Sequence, residues 1–335
     1  MYDSGISNLS STSALKRQIS TVRAQIDESG KRLASGHKNA GDLARTGSTN
    51  TVLSIDKELQ LLGRYEQTSA VLKTSLNSQQ LGLQKIRDTT FELSNNVLAA
   101  LNGQAISAVR TQAANANKVL EVAVSTLNKS ISGKSLFSGA AVDRAALVDA
   151  TTIIEDVEAL LNAAPDAATG LASVDFYFND PAGGFATASY TGSQVNASDI
   201  EIGPGEFVKQ DVRADSQAIK DTIQNVSVMA AVSNGAFGAS PADQKILLND
   251  STARMLKSND DLIKLQQTIG QREEQVENSE ADKSASRTSL ELLRTEFTNV
   301  DLFSESAFFQ ELQTQLETSY KVTVRLSSLS LSNFM

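Results

Sequence analysis

Few residues in this chain could do chemistry. Ser130-Ile-Ser-Gly-Lys-Ser135 contains the Gly-Lys-Ser that closes a phosphate-binding loop, where backbone amides and a lysine hold phosphates. The first glycine of such a loop belongs five residues before Gly133, where this chain has Asn128, and a helical pattern precedes it instead of a strand. It reads as a helix C-cap and turn. His37 is the only histidine, so a Ser-His-Asp relay would have to draw its base from a glycine-rich linker; it reads as a solvated loop residue. Asp260-Asp261 and Arg272-Glu273-Glu274 could serve metal or acid–base chemistry, but on a long polar helix they read as a solvated face. Asn196-Ala-Ser198 has acceptor spacing by chance in a serine-rich chain. Cysteine is absent, which removes disulfides, thiolate metal sites and a thiol nucleophile. The chain reads as a non-enzyme, with no catalytic residue, no cofactor and no metal.

The elements that would position any site are themselves the main signal. Leu15, Ile19, Val22, Ile26, Ser29 and Leu33 follow one another at steps of four and three, a heptad seam near one chain end. Near the other end Phe308, Leu312, Leu316, Ser319, Thr323 and Leu326 form a stripe on a segment without glycine or proline. Leu329 and Phe334 continue its apolar character. Neither stripe can bury itself alone, so each is expected to take the other as partner.

Composition agrees with slender helical packing. Of 335 residues 40% are apolar, only 5% are aromatic, tryptophan is absent, and there are four prolines to interrupt helices. A net charge of −9 argues against nucleic acid, whose phosphates call for clustered lysine and arginine. No apolar run reaches the roughly 18 residues of a membrane span. Met-Tyr-Asp-Ser-Gly-Ile-Ser lacks the basic and apolar regions of a signal peptide, so export would need a route without one.

In chain order, residues 1–13 are polar and give little reason for order on their own, and the first seam ends at Ser35-Gly36. Residues 36–50 read as a linker or extended arm. Val52, Ile55, Leu59 and Leu62, then Leu72, Leu76, Gln79, Leu83, Ile86, Thr90, Leu93 and Val97, predict a second helix up to Asn102-Gly103. A third helix is expected over 105–132, antiparallel to it. Residues 140–235 change character: a helix over 151–163, a strand at Val174, Phe176 and Phe178, and a return strand over Phe185–Thr191. A strand pair follows around Pro204-Gly205, then a helix over 214–232. Helix resumes at Pro241 and runs to about Ser286, with Leu248, Leu256, Ile263, Ile269 and Val276 as apolar positions. The expected fold class is mainly α, a long antiparallel helical rod built from both chain ends with a small α+β insert. The expected domains are 1–40 with 295–335, 41–139 with 236–294, and 140–235.

These residues carry a resemblance. Leu33-Ala-Ser-Gly36 closing a heptad helix is similar to the Leu-Ser-Ser-Gly of bacterial flagellins and their relatives, and Leu83-Gln-Lys-Ile-Arg87 to the Leu-Gln-Arg-Val-Arg of their second helix. Gly133-Lys-Ser-Leu-Phe-Ser-Gly139 resembles the Tyr-Leu-Phe-Ser-Gly of the flagellar hook–filament junction family, the third hook-associated proteins. Asn299-Val-Asp301 and the ending Leu329-Ser-Leu-Ser-Asn-Phe334 resemble that family's terminus. Where the family shows paired aspartates, this linker has Gly41-Asp42-Leu43-Ala44. The resemblance implies a structural role joining hook to filament, or, as the alternative, a filament subunit; a coiled-coil adaptor outside the flagellum is a third reading. It implies assembly as a ring or tube of copies through Leu15, Ile19, Val22, Ile26, Leu33, Phe308, Leu312, Leu316, Leu326, Leu329 and Phe334. Implied partners are a hook-side junction protein, flagellin and a cytoplasmic export chaperone, with extracellular placement on the flagellum and no membrane insertion.

Overall fold

The computed structural model describes the backbone of residues 3–103 and 105–332, and side chains over 13–103 and 105–326. It divides into two compact units, residues 1–62 with 284–335 and residues 63–283.

The first unit holds α1 (Asp3–Ser35), α2 (Ala40–Arg45), the opening turns of α3 (Thr49–Leu101), the end of α9 (Pro241–Thr298) and α10 (Leu302–Ser332). Helix α1 begins well before the expected seam, at Asp3. It ends where Gly36 takes φ +72°, the left-handed stop that glycine adopts without a Cβ penalty. Residues 36–50 are not an open arm. Asn39 Oδ1 accepts from the Asp42 N–H at 2.8 Å and Asp42 Oδ2 accepts from the Asn39 N–H at 3.2 Å. That capping box starts α2. The α9–α10 break is held on the same linker, where Lys38 N–H donates to the Thr298 carbonyl at 2.7 Å and Val300 N–H to that of Gly36 at 3.0 Å. Asp301 Oδ1 accepts from Phe303 N–H at 3.0 Å and so starts α10.

The second unit carries the rest: most of α3, then α4 (Ile106–Ala113), α5 (Asn115–Leu127), the hairpin β1 (Ser130–Ile131) and β2 (Lys134–Ser135), α6 (Ala150–Ala163), α7 (Ala167–Asn179), a π turn (Phe185–Ser189), β3 (Ala197–Gly203), β4 (Glu206–Gln210), α8 (Gln217–Asn234) and most of α9. The periodic residues Leu72, Leu76, Gln79, Leu83, Ile86, Thr90, Leu93 and Val97 of α3 are all buried. At Gly82 of α3 a Cβ would stand 3.0 Å from Thr126 Cγ2 of α5, so the missing side chain permits close approach. Gly82 lies 19 residues before the end of α3 at Leu101 and Thr126 lies 20 residues after the start of α4 at Ile106, which makes α3 and α5 antiparallel.

Four expectations change. The helix expected over 105–132 breaks at Ala114 and stops at Leu127, giving way to the β1–β2 hairpin. The expected strand at Val174–Phe178 is helix α7, capped by Asp166 accepting from Thr169 N–H at 2.8 Å. Its buried residues Ala167, Gly170, Val174, Tyr177 and Phe178 have helical spacing, while Phe176 points to solvent. The return strand is instead the π turn. On α9 the core row is Leu248, Met255, Leu262, Ile269 and Val276, seven residues apart and fully buried, whereas Leu256 and Ile263 stay part exposed; the helix runs on to Thr298.

The β3–β4 pair around Pro204-Gly205, α6 and α8 stand as expected. Residues 140–235 do not make a core of their own: α8 is buried along nearly its whole length, and Phe178, Ile202, Ile223 and Met229 join one continuous core with Leu83, Leu120 and Leu262.

Candidate assembly interface

Helices α1 and α10 pack against each other within the first unit. Their heptads set the geometry. Val22 and Leu312 are each 3% exposed, Ser29 is fully buried, and Leu15, Ile19, Ile26 and Leu33 are half-buried. On α10 the inward row is Glu305, Phe309, Leu312, Leu316, Ser319 and Thr323, again at steps of four and three. Phe308 lies beside the buried row, 40% exposed, and its neighbour Phe309 lies 3.6 Å from where a Cβ on Gly30 would stand. Leu326 is also exposed; the Leu329 side chain and Phe334 lie outside the described residues.

A polar junction closes the α2-proximal end of the seam. Glu305 Oε1 accepts from Ser29 Oγ at 2.5 Å, Arg32 Nε at 2.9 Å and Arg32 Nη2 at 2.8 Å. Arg32 Nη1 also reaches Asp42 Oδ2 at 3.3 Å, and Asp42 pairs with Arg45. Burial works to raise the Asp42 carboxyl, but hydrogen bonds from Arg45 and the Asn39 N–H, with the nearby charge of Arg32, hold it below the ordinary carboxylate value. One aspartate here thus both caps α2 and anchors α1. Toward the other end, Arg23 stacks 5.6 Å from the Tyr320 ring centroid.

The seam leaves apolar side chains on both its flanks. At 3.6 residues per turn, Phe308, Val322 and Leu326 fall to one side of the buried row and Leu302, Tyr320 and Val324 to the other. All six are exposed, and Phe303 is 85% exposed. Two helices paired in isolation do not cover these groups.

The chemistry-bearing motifs fall into ordinary structural places. Ser132-Gly133 is the β1–β2 turn, with φ 51° and 77°, both left-handed as a two-residue hairpin turn requires. In the motif that follows, Phe137 and Ser138 are fully buried, and Gly139 takes φ +62° where a Cβ would meet two carbonyl oxygens at 2.5 Å. His37 is exposed and pairs its backbone with Asn299. Arg272 is buried and paired with Asp211, and Asp261 holds Lys264 at 2.7 Å. Among the described residues, no three His, Cys, Asp or Glu side chains are grouped to hold a metal ion.

Sequence reasoning missed Lys283. It occupies the next seven-residue step after Val276, is 4% exposed, and donates to Ser69 Oγ at 2.6 Å and the Ile202 carbonyl at 2.8 Å. Burial pulls its ammonium below the ordinary lysine value, against the raising influence of Glu280, Glu206 and Glu66. The heptad step was the available signal.

No family model matches the chain, and no curated protein matches it in sequence. Solved structures do match in shape. A Vibrio parahaemolyticus protein assigned as flagellar hook-associated superposes with a TM-score of 0.53 at 14% identity, over 74% of this chain and 96% of that one. Bacillus cereus FlgL superposes with a TM-score of 0.52 at 15% identity, over 72% of this chain and 98% of that one. At such identities the likeness is one of fold, and over about three quarters of its length this chain shares the fold of the Vibrio parahaemolyticus flagellar hook-associated protein and of Bacillus cereus FlgL.

Proposed function

We propose that this chain is a structural subunit of the bacterial flagellum that joins hook to filament by polymerising through its terminal helices. The observation that carries this reading is the α1–α10 seam with uncovered apolar groups on both flanks, in a fold shared with hook-associated proteins. A seam flanked in this way can take neighbouring copies on either side, and repeated head-to-tail contacts generate rings or tubes. Ordering each residue's backbone costs about 1–2 kcal/mol, so long terminal helices gain most of their order from partners. Folding of the ends and assembly then become one event. The proposed partners are further copies, a hook-side junction protein and flagellin, with a cytoplasmic chaperone covering the α10 stripe before export.

Electron microscopy of flagella carrying the labelled protein tests this. A band at the end of the hook is the expected result. Label along the whole filament would make the chain a flagellin, and no label on flagella would point to an adaptor elsewhere.

A further inference from the structure

The chain contains two Asn-Gly steps, Asn102-Gly103 after α3 and Asn234-Gly235 at the end of α8. This dipeptide has a chemistry of its own. Glycine carries no side chain to shield its backbone nitrogen, which can close on the side-chain amide carbon of the asparagine before it. Both steps are exposed, and both glycines take positive φ, +157° at Gly103 and +123° at Gly235. Exposure and backbone region therefore do not separate them.

Hydrogen bonding does. The Gly235 N–H donates to the carbonyls of Ala231 and Val232, each at 3.2 Å, and the Ala236 N–H donates to that of Ala231 at 3.0 Å. Ala236 is fully buried, which fixes the chain just beyond the step. The Asn234 side chain is held as well, its Oδ1 accepting from Asn117 Nδ2 at 3.2 Å. Ring closure there would break these bonds and pull on a buried residue. At the other step the Gly103 N–H donates to no carbonyl, and the Asn102 side chain has no partner, among the described residues. Only the Asn102 N–H is tied, to the Leu98 carbonyl at 3.3 Å.

We propose that Asn102 is a site of spontaneous modification, converting to aspartate or isoaspartate while the fold spares Asn234. The Gly103 nitrogen loses its proton to solvent base and attacks Asn102 Cγ. The Cγ–Nδ2 bond breaks, and the leaving nitrogen takes up a proton and departs as ammonia, which leaves a cyclic imide. Water then opens the imide. Attack at Cγ restores the ordinary backbone with an aspartate; attack at the main-chain carbonyl carbon routes the backbone through the side chain as isoaspartate. One ammonia leaves, one water enters, and nothing is oxidised. Either product adds a negative charge to a chain already at −9. It also puts a carboxylate at the carbonyl end of α3, whose last turn has no basic residue to offset it. The inference does not depend on the flagellar reading.

Full-length folded protein held in mildly alkaline buffer, sampled over time and mapped by peptide mass spectrometry, tests this through replacement of the amide NH2 by OH. Asn102 should convert about tenfold or more faster than Asn234, the two backbone hydrogen bonds on Gly235 setting that scale. In denaturant the two steps should convert at similar rates. Asn102→Gln should lose most of the acidic species that the parent gains on anion exchange, because the longer side chain closes its ring far more slowly. Equal rates in the folded protein, or faster conversion at Asn234, would overturn the proposal. A preference for Asn102 that persists undiminished in denaturant would overturn it too, since the flanking sequence and not the fold would then be its cause.

Discussion

Arg32 and Glu305, 273 residues apart in the chain, meet through two hydrogen bonds onto a single carboxylate oxygen, Nε at 2.9 Å and Nη2 at 2.8 Å. Their side chains are only 11% and 13% exposed, so the pair is sheltered from most solvent screening. It fixes where α10 begins against where α1 ends.

Arg32→Ala should therefore destabilise the first unit by about 3 kcal/mol, leaving Glu305 with Ser29 alone and Asp42 with one arginine fewer. Glu305→Gln should cost less, since the amide keeps an oxygen acceptor. Hydrogen exchange across α1 and α10 checks both; equal protection in Arg32→Ala and the parent would reject the junction's role.

Acid should loosen the same junction. The Asp42 carboxyl lies below its ordinary value in the folded chain, so its contribution is present above the unfolded value of 3.8 and is lost as pH falls through the folded one. Exchange protection of α2 and the end of α1 should fall as pH drops below about 4. Asp42→Asn should start lower and vary less over that window; an unchanged pH profile in the variant would dismiss Asp42 as the group responsible.

Leu312→Asp with Leu316→Asp should separate assembly from folding. Leu312 is buried in the α1–α10 seam and Leu316 half-buried beside it, and a charge placed there has no partner. Neither residue belongs to the second unit's core, so that unit should melt as before while α1 and α10 lose helix and assembly fails. Cells with the variant at normal levels and intact, motile flagella would contradict this.

Replacing residues 140–235 with a glycine-serine loop should abolish cooperative melting of the second unit, because α8 lies within its core. A milder version is Ile223→Ala, expected to cost about 2–5 kcal/mol. A sharp transition after the replacement would show that α3 and α9 suffice alone.

Lys283→Met should change stability little at pH 7, since it removes a buried charge at little change in volume but leaves Ser69 Oγ and the Ile202 carbonyl without its hydrogen bonds. In the parent the folded lysine binds protons less readily than the unfolded one, so stability rises with pH from its lowered value up to 10.5. That rise should be missing in the variant, and melting temperature against pH between 7 and 10.5 reads it.

Much of this fold is written locally. The buried row of α3 could be picked out residue by residue, including the polar members Gln79 and Thr90, because a repeat of threes and fours survives whatever packs on it. The same holds for Val22, Ser29 and Leu312, and for the turn at Pro204-Gly205. No partner is needed to see a period.

Choosing between two adjacent apolar rows is different. Leu256 and Ile263 keep the same seven-residue step as Met255 and Leu262, and Phe308 stands beside Phe309; only the place of the partner surface decides which row is buried. Val174, Phe176 and Phe178 alternate as a strand would, yet α7 forms because its helical row finds α6 and α8. Lys283 sits at an apolar step because the acceptor Ile202 carbonyl arrives from 81 residues away. Periodicity is a property of the chain alone, whereas burial belongs to a pair of surfaces, and the second surface exists only once the chain has folded.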